Sequence, residues 1–363
     1  MKITKIEAVF LNDLIAKTLS SRGSQYPNPA VGAMVIRNDV IIAEGYHELA
    51  GKDHAEVIAL NNAKGNTQGA TLLITLEPCC HHGKTKPCVE QIIDAGISRC
   101  IWAINDPNPE VHQKSKALLE ANNVDVIDHA LPDLGLACIK EFYTYYSLKR
   151  PYVYVKAALS FDGYIAPNSK QLNYISSPAS LNLVQELRSA VQAICVGAKT
   201  INIDQPRLSV RIERPVDTQP LIVILDPKNY VDMAWVQSAL AKGRRILLFQ
   251  SGPTTVFDDG FYHFSGLSND KLQNWRYVFE TLYQFQIHSV LVEGGSAVFQ
   301  SLLRAGCYDE LWITKVPQFF GKSGVPFLKD QLSIPIDLSL YQVNAYDHDV
   351  VMRFKNNHVT QFK

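Results

Sequence analysis

The chain has no excess of charge: 35 lysines and arginines face 35 aspartates and glutamates over 363 residues. Nucleic-acid binders ordinarily carry a basic surplus or stripe, so that class is disfavoured. No apolar run approaches the ~20 residues that cross a bilayer, and no membrane span is expected. The start, Met1 to Ile6, lacks an apolar core and a small-residue cleavage site, so no secretory signal peptide is expected there. Seven cysteines, an odd number, argue against a disulfide framework and for a reduced, cytoplasmic protein. No G-x-G-x-x-G follows a strand, which excludes an ordinary Rossmann fingerprint. Gly321-Lys322-Ser323 imitates the end of a phosphate loop, but the glycine required five residues earlier is Val316. What the chain does have is 47% apolar and 19% charged residues, enough for two domains to build separate cores.

His54-Ala55-Glu56, Pro78-Cys79 and Cys88 form the most informative constellation. One imidazole and two thiolates give a tetrahedral zinc three ligands and leave its fourth position open, as catalytic sites do. A structural site would want a fourth protein ligand. Glu56, two residues beyond the histidine, is placed to move the protons of a zinc-bound water. This is the logic of zinc deaminases, in which a metal-activated hydroxide attacks an amino-bearing ring carbon. Eight residues separate Cys79 from Cys88, where that signature usually has a compact C-x-x-C. Cys88 follows Pro87 and is expected to open a helix, whose dipole favours the thiolate. Cys80, His81 and His82 are further donors in the loop and rank below Cys79 and Cys88. The plainer reading, scattered buried cysteines and a surface histidine, is disfavoured because ligand types, flanking prolines and the His-x-Glu pair arrive together.

Apolar patterning predicts alternating helices and strands. In the first half, helices are expected over 8–21, 54–63, 88–95, 111–122 and 132–147. Strands are expected there over 31–36, 40–45, 71–76, 100–104 and 124–127. Alternation of this kind argues an α/β sheet with helices on both faces, and both parts of the metal site fall at helix starts beside it. Leu148-Lys149-Arg150-Pro151 marks the expected boundary, giving domains 1–148 and 149–363. The second half continues the style, with strands over 152–158, 193–197, 221–225, 245–249, 289–292 and 310–316. Its helices are expected over 179–190, 272–285 and 296–305. Glu293-Gly294-Gly295-Ser296 and Gly197-Ala198-Lys199-Thr200 each follow a strand and suit a phosphate cradle. Either one alone is more often a tight strand-to-helix turn.

Several segments resemble one family in order along nearly the whole chain. Pro27-Asn28-Pro29-Ala30-Val31-Gly32, His54-Ala55-Glu56-Val57, Thr75-Leu76-Glu77-Pro78-Cys79, the Cys88 loop and Asp106-Pro107-Asn108-Pro109 resemble the riboflavin-pathway pyrimidine deaminase. Lys156 to Gly163, Val196-Gly197-Ala198-Lys199-Thr200 and Val292-Glu293-Gly294-Gly295 resemble its fused reductase partner. The family is the bifunctional diaminohydroxyphosphoribosylaminopyrimidine deaminase and 5-amino-6-(5-phosphoribosylamino)uracil reductase. The resemblance implies a cytidine-deaminase-like three-layer α/β/α domain followed by a dihydrofolate-reductase-like α/β domain.

It also implies roles. His54, Cys79 and Cys88 would bind one Zn2+ and Glu56 would be the catalytic acid and base. Asn28 would hold the pyrimidine edge, with Lys84 and Thr85 near the ribose phosphate. NADPH would deliver a hydride to the ribosyl carbon, contacting Ala158, Tyr174, Thr200, Asp204, Gly294, Gly295 and Ser296. Lys156, Arg188, Leu208, Arg211 and Glu293 would surround the phosphoribosyl pyrimidine, the arginines suiting its phosphate. A surface ion pair is the plainer role for either arginine, as a solvated loop is for Lys84 and Lys86. The family habit implies a homo-oligomer, dimer or tetramer.

The chain departs from the family's usual pattern at several points. Tyr174 stands for a usual Trp, Leu172 for a polar residue, and Gln205 for Asp or Asn. The segment 111–115 lacks two usual glycines, Cys80 replaces a common Ser and Lys86 a common Pro. Beside the two-step enzyme stand two alternatives: a divergent paralogue with an altered or silent reductase, and a zinc-stabilised binding module without activity. An intact Glu56 argues against the last. A nucleic-acid editing enzyme shares the deaminase chemistry, but the charge balance and the second half argue against it.

Overall fold

The structure, a computed structural model, describes residues 2–21, 25, 27–81, 86–167, 175–211, 219–252, 257–258, 260–330 and 335–359. The chain forms two compact units, Met1–Lys149 and Arg150–Lys363.

The first unit runs α1 (Lys5–Ser20), β1 (Gly32–Arg37), β2 (Val40–Tyr46), α2 (Ala55–Asn62), β3 (Thr71–Leu76), α3 (Cys88–Asp94), β4 (Arg99–Ile104), α4 (Lys114–Ala121), β5 (Asp125–Ile127) and α5 (Pro132–Leu148). Its sheet has the order β2-β1-β3-β4-β5, antiparallel across β2, β1 and β3 and parallel from β3 to β5. Strand alternation sorts the core onto two faces. Ala33, Val35, Leu72, Ile74 and Trp102 pack with Ala55 and Ala59 of α2 and Val89 and Ile92 of α3. Met34, Ile36, Leu73 and Ile101 pack with Leu11 and Leu14 of α1 and Ile139 of α5. The result is the expected three-layer α/β/α unit. Gly45 lets β2 run directly against α2, because a Cβ there would strike Ala55 O and Ala59 N.

Two helix starts differ from expectation. Helix α1 opens at Lys5, before the apolar stripe, because Thr4 and Glu7 close a capping box, with Glu7 N donating to Thr4 Oγ1 at 3.2 Å and Thr4 N to Glu7 Oε2 at 2.8 Å. Helix α4 opens only at Lys114, because residues 111–113 turn and Gln113 takes a left-handed φ of 58°.

The second unit comprises β6 (Tyr152–Leu159), β7 (Tyr164–Ala166), α6 (Pro178–Ser189), β8 (Ala193–Gly197), α7 (Ala198–Asp204), β9 (Leu221–Asp226), α8 (Met233–Ala241) and β10 (Ile246–Gln250). It continues with β11 (Phe257–Asp258), β12 (Phe261–Ser265), α9 (Lys271–Gln284), β13 (Ser289–Val292), α10 (Ser296–Ala305), β14 (Glu310–Lys315), β15 (Val325–Pro326), β16 (Leu338–Tyr346) and β17 (Asp349–Asn356). Ten strands form one sheet in the order β11-β12-β10-β9-β8-β13-β6-β14-β17-β16. It is parallel from β12 to β14 and antiparallel at both ends. Val153, Val155, Val223 and Phe249 build the core with Phe279 and Leu302, while Tyr152, Tyr154, Ile194 and Ile222 build the other face with Leu187 and Val236. Parallel strands put their carboxyl ends at one edge, where open α/β sheets bind ligands. Helix α7 begins at the strand-to-helix turn read at Gly197, whereas helix α8 and the strand pair β16/β17 were not anticipated from the sequence.

Candidate metal centre and cofactor cavity

Two helix starts converge in the first unit. His54 is the N-cap of α2, its backbone extended and its side chain free of capping duty. Cys88 is the first residue of α3, and Cys79 lies in the segment after β3. The backbone ties the two cysteines together, Val89 N donating to Cys79 O at 3.2 Å and Cys88 N approaching Cys79 Sγ at 3.4 Å. His54 Nδ1 lies 3.2 Å from Cys88 Sγ and 3.5 Å from Cys79 Sγ, and the three ligand atoms fall within 4.8 Å of one another. Zinc bond lengths to nitrogen and sulfur put tetrahedral N···S edges at about 3.5 Å. The donor set therefore fits zinc in kind and spacing, with three protein ligands among the described residues.

Charge in the cluster points the same way. The hydrogen bond with Cys88 holds the Cys79 thiol well below its ordinary range and raises that of Cys88, while the Cys79 contact raises the His54 imidazole to about 9. A divalent cation bound by this cluster would displace its remaining protons to solvent. Glu56, in the first turn of α2, is 4% exposed, and burial raises its carboxyl. Cys80 does not join the cluster; its Sγ contacts Glu110 O at 3.8 Å, and His81 is exposed. Lys86 pairs with Asp94 and Glu90. Lys84, Thr85 and His82 lie outside the described residues.

One residue of this site was missed. His47, 3% exposed, donates from Nδ1 to Asp53 O at 3.0 Å, since a carbonyl can only accept. Its Nε2 is then an acceptor and takes the Asn28 Nδ2 amide at 3.1 Å. The imidazole thus ties Asn28 to the backbone that leads into His54, and its ring stands edge-on to the His54 ring. A lone histidine with no spacing partner gave no signal. Glu77, 3% exposed, was quoted only within a motif; its carboxylate accepts Asp106 N, Gln113 N and Ser115 N and so fixes the loop beside Cys79.

In the second unit a cavity of about 1290 Å³ opens at the carboxyl ends of β8, β9 and β13. It brings together Thr200, Asp204, Gly295 and Ser296 of the sequence-predicted set. Burial raises the Asp204 carboxyl, and the Ser296 hydroxyl donates to Pro326 O. Gly294 is buried and outside the lining; a Cβ there would strike Val298, so its contribution is close packing of the turn. Ala158 also lies outside the lining, and Tyr174 outside the described residues. Four lysines and one carboxylate line the cavity, which fits a polyanionic nucleotide such as NADPH.

The predicted substrate residues form a separate cluster. Arg188 makes a bidentate pair with Glu293, 2.8 Å from Nε and 2.6 Å from a terminal nitrogen, and donates to Ser209 O at 3.3 Å. Burial lowers the Lys156 ammonium, with Glu293 and Arg188 pulling it in opposite senses. Leu208 is 2% exposed and its carbonyl accepts from Arg244 at 2.8 Å, so no face of its side chain is open. Arg211 is exposed, its backbone N–H held by Gln185.

Residues 11–104 match the family described as the cytidine and deoxycytidylate deaminase zinc-binding region, and 151–352 match the RibD C-terminal domain. The riboflavin biosynthesis protein RibD of Aquifex aeolicus is 30% identical over 97% of this chain and 99% of its own length. The structure of Acinetobacter baumannii RibD superposes with a TM-score of 0.85 at 28% identity, covering 96% of this chain and 99% of that one. A Thermotoga maritima crystal structure, described as a diaminohydroxyphosphoribosylaminopyrimidine deaminase/5-amino-6-(5-phosphoribosylamino)uracil reductase, gives 0.80 at 29% identity with 96% and 99% coverage. With 30% identity over nearly its full length and its second half matched throughout, the chain belongs to the RibD family of riboflavin biosynthesis proteins.

Proposed function

We propose that residues 1–148 deaminate the diaminopyrimidine phosphoribosyl substrate hydrolytically and that residues 149–363 reduce its ribosyl group to ribityl with NADPH. The observation that carries this reading is the meeting of His54, Cys79 and Cys88 beside the buried Glu56. One zinc per chain, held by those three residues, supplies a centre that acidifies water. The Glu56 carboxylate accepts a proton and returns it to the departing nitrogen; its raised proton affinity suits both directions. Asn28, its amide N–H committed to His47, turns its carbonyl oxygen to the donor edge of the pyrimidine.

In the second unit NADPH supplies the hydride. Lys156 gives up its proton more readily than an ordinary lysine because burial weakens its hold on it. Arg188 orients Glu293, and the exposed Arg211 is left to meet the substrate phosphate. Gln205, one basis of the divergent reading, simply closes α7 in a left-handed φ of 43° with its amide on Asp232. Leu172 and Tyr174, the other two, lie outside the described residues.

A cytoplasmic setting agrees with seven cysteines, none in a disulfide. A homo-oligomer, dimer or tetramer, agrees with the outermost strand β16, which bears no charged residue and exposes Leu340, Tyr341 and Val343. Zinc-loaded protein given the diaminopyrimidine phosphoribosyl substrate should release ammonia and then oxidise NADPH. Ammonia without oxidation removes the reductase assignment, and neither signal removes both.

A further inference from the structure

The cavity of the second unit carries an assignment for the nucleotide's distal end. It rests on the reading of that cavity as the nicotinamide-cofactor site. The substrate cluster of Lys156 and Glu293 sits on β6 and just beyond β13, and the two strand-to-helix turns at Gly197 and Gly295 follow β8 and β13. The nicotinamide must face the substrate, so the rest of the dinucleotide runs outward across β8 towards β9 and β10. Two strand spacings, about 10 Å, separate β13 from β9.

What stands at the end of β9 decides which cofactor fits. Dinucleotide sites that select NADH place a carboxylate near the ribose 2′-hydroxyl. The acid available here is Asp226, and it is fully buried. Its oxygens accept Tyr230 N at 3.1 Å, Val231 N at 3.0 Å and Gln250 Nε2 at 2.7 Å, which leaves nothing for a sugar. Those bonds, together with the paired contacts of Asn229 and Ser251 and of Asn202 with Tyr230 O, freeze the turn after β9. The next polar side chain on that frozen turn to line the cavity is Lys228, and Lys271, first residue of α9, lines it too. The one carboxylate in the lining, Asp204, lies on α7, beyond the other strand-to-helix turn.

We propose that Lys228 and Lys271 bind the 2′-phosphate of NADPH and so set the preference for NADPH over NADH. The test is titration of the full-length protein with each dinucleotide, followed by quenching of tryptophan fluorescence, for which Trp275 in the cavity wall is a reporter. Lys228→Ala and Lys271→Ala should each weaken NADPH by about tenfold or more and leave NADH unchanged. Lys242→Ala, an exposed lysine outside the lining, should change neither. Equal weakening of both dinucleotides, or an undiminished NADPH preference, overturns the lysine assignment while the cofactor reading stands. A wild-type protein that binds neither overturns both.

Discussion

The two sites are built by opposite means. In the first unit, ligands at positions 54, 79 and 88 are delivered by two helix starts and the segment after one strand, all within a 35-residue stretch. In the second, the proposed site residues range from Lys156 to Ser296 and assemble only when the parallel strands β6, β8, β9 and β13 lie side by side. The first therefore concentrates its chemistry in a few buried atoms whose loss is total. The second distributes binding over a long cavity and a charged cluster, where single losses are partial. A local motif buys chemical definition, and a sheet edge offers reach.

If that contrast holds, the largest effect belongs to Glu56→Gln. The substitution keeps shape and leaves the three ligands alone, so zinc content by metal analysis should be unchanged while ammonia release falls about a thousandfold. NADPH oxidation supplied with the deaminated intermediate should stay at the wild-type rate. Retained ammonia release would remove Glu56 from proton transfer and dissolve the contrast. Arg188→Ala comes next. Both partners of the Arg188–Glu293 pair are only 12% exposed, and removing one strands the other. About 3 kcal/mol of stability should be lost in denaturant unfolding, with reduction impaired and deamination intact. Equal loss in both reactions would show that the sites are not independent.

How far each site could be read from sequence follows from the same difference. The grouping of His54, Cys79 and Cys88 was legible because a metal motif pairs residue types at short spacings, and the largely buried strands β8, β9 and β13 because they are short, mostly apolar runs. The strand pair β16/β17 escaped because β16 has no buried residue, which erases the period-two signal. Helix α8 escaped although its Asp232 N-cap, accepting Ala234 N, was readable. His47 escaped because its importance lies in two hydrogen bonds made across the fold. It offers a finer probe of the first site. His47→Leu should raise the deaminase KM about tenfold through a loosened Asn28, with kcat and zinc content nearly unchanged. A collapse of kcat instead would mean that His47 serves the metal more than the substrate.

The smallest effect tests whether the first site carries strain in its supporting loop. Gln113 holds φ at 58° while its N–H donates to Glu77 Oε2 at 3.0 Å, so the turn must keep that shape for Glu77 to fix the segment beside Cys79. A left-handed conformation costs a residue with a Cβ about 1–2 kcal/mol, against which glycine loses about 0.4–1 kcal/mol of extra chain entropy on folding. Gln113→Gly should therefore stabilise the protein by about 0.5 kcal/mol in denaturant unfolding, with no change in ammonia release. Gln113→Ala keeps the Cβ and should give no gain. If the glycine variant were instead less stable, the Gln113 side chain would have to make a contact worth more than the backbone strain. The loop would then be held from its outer surface as well as by the buried carboxylate of Glu77.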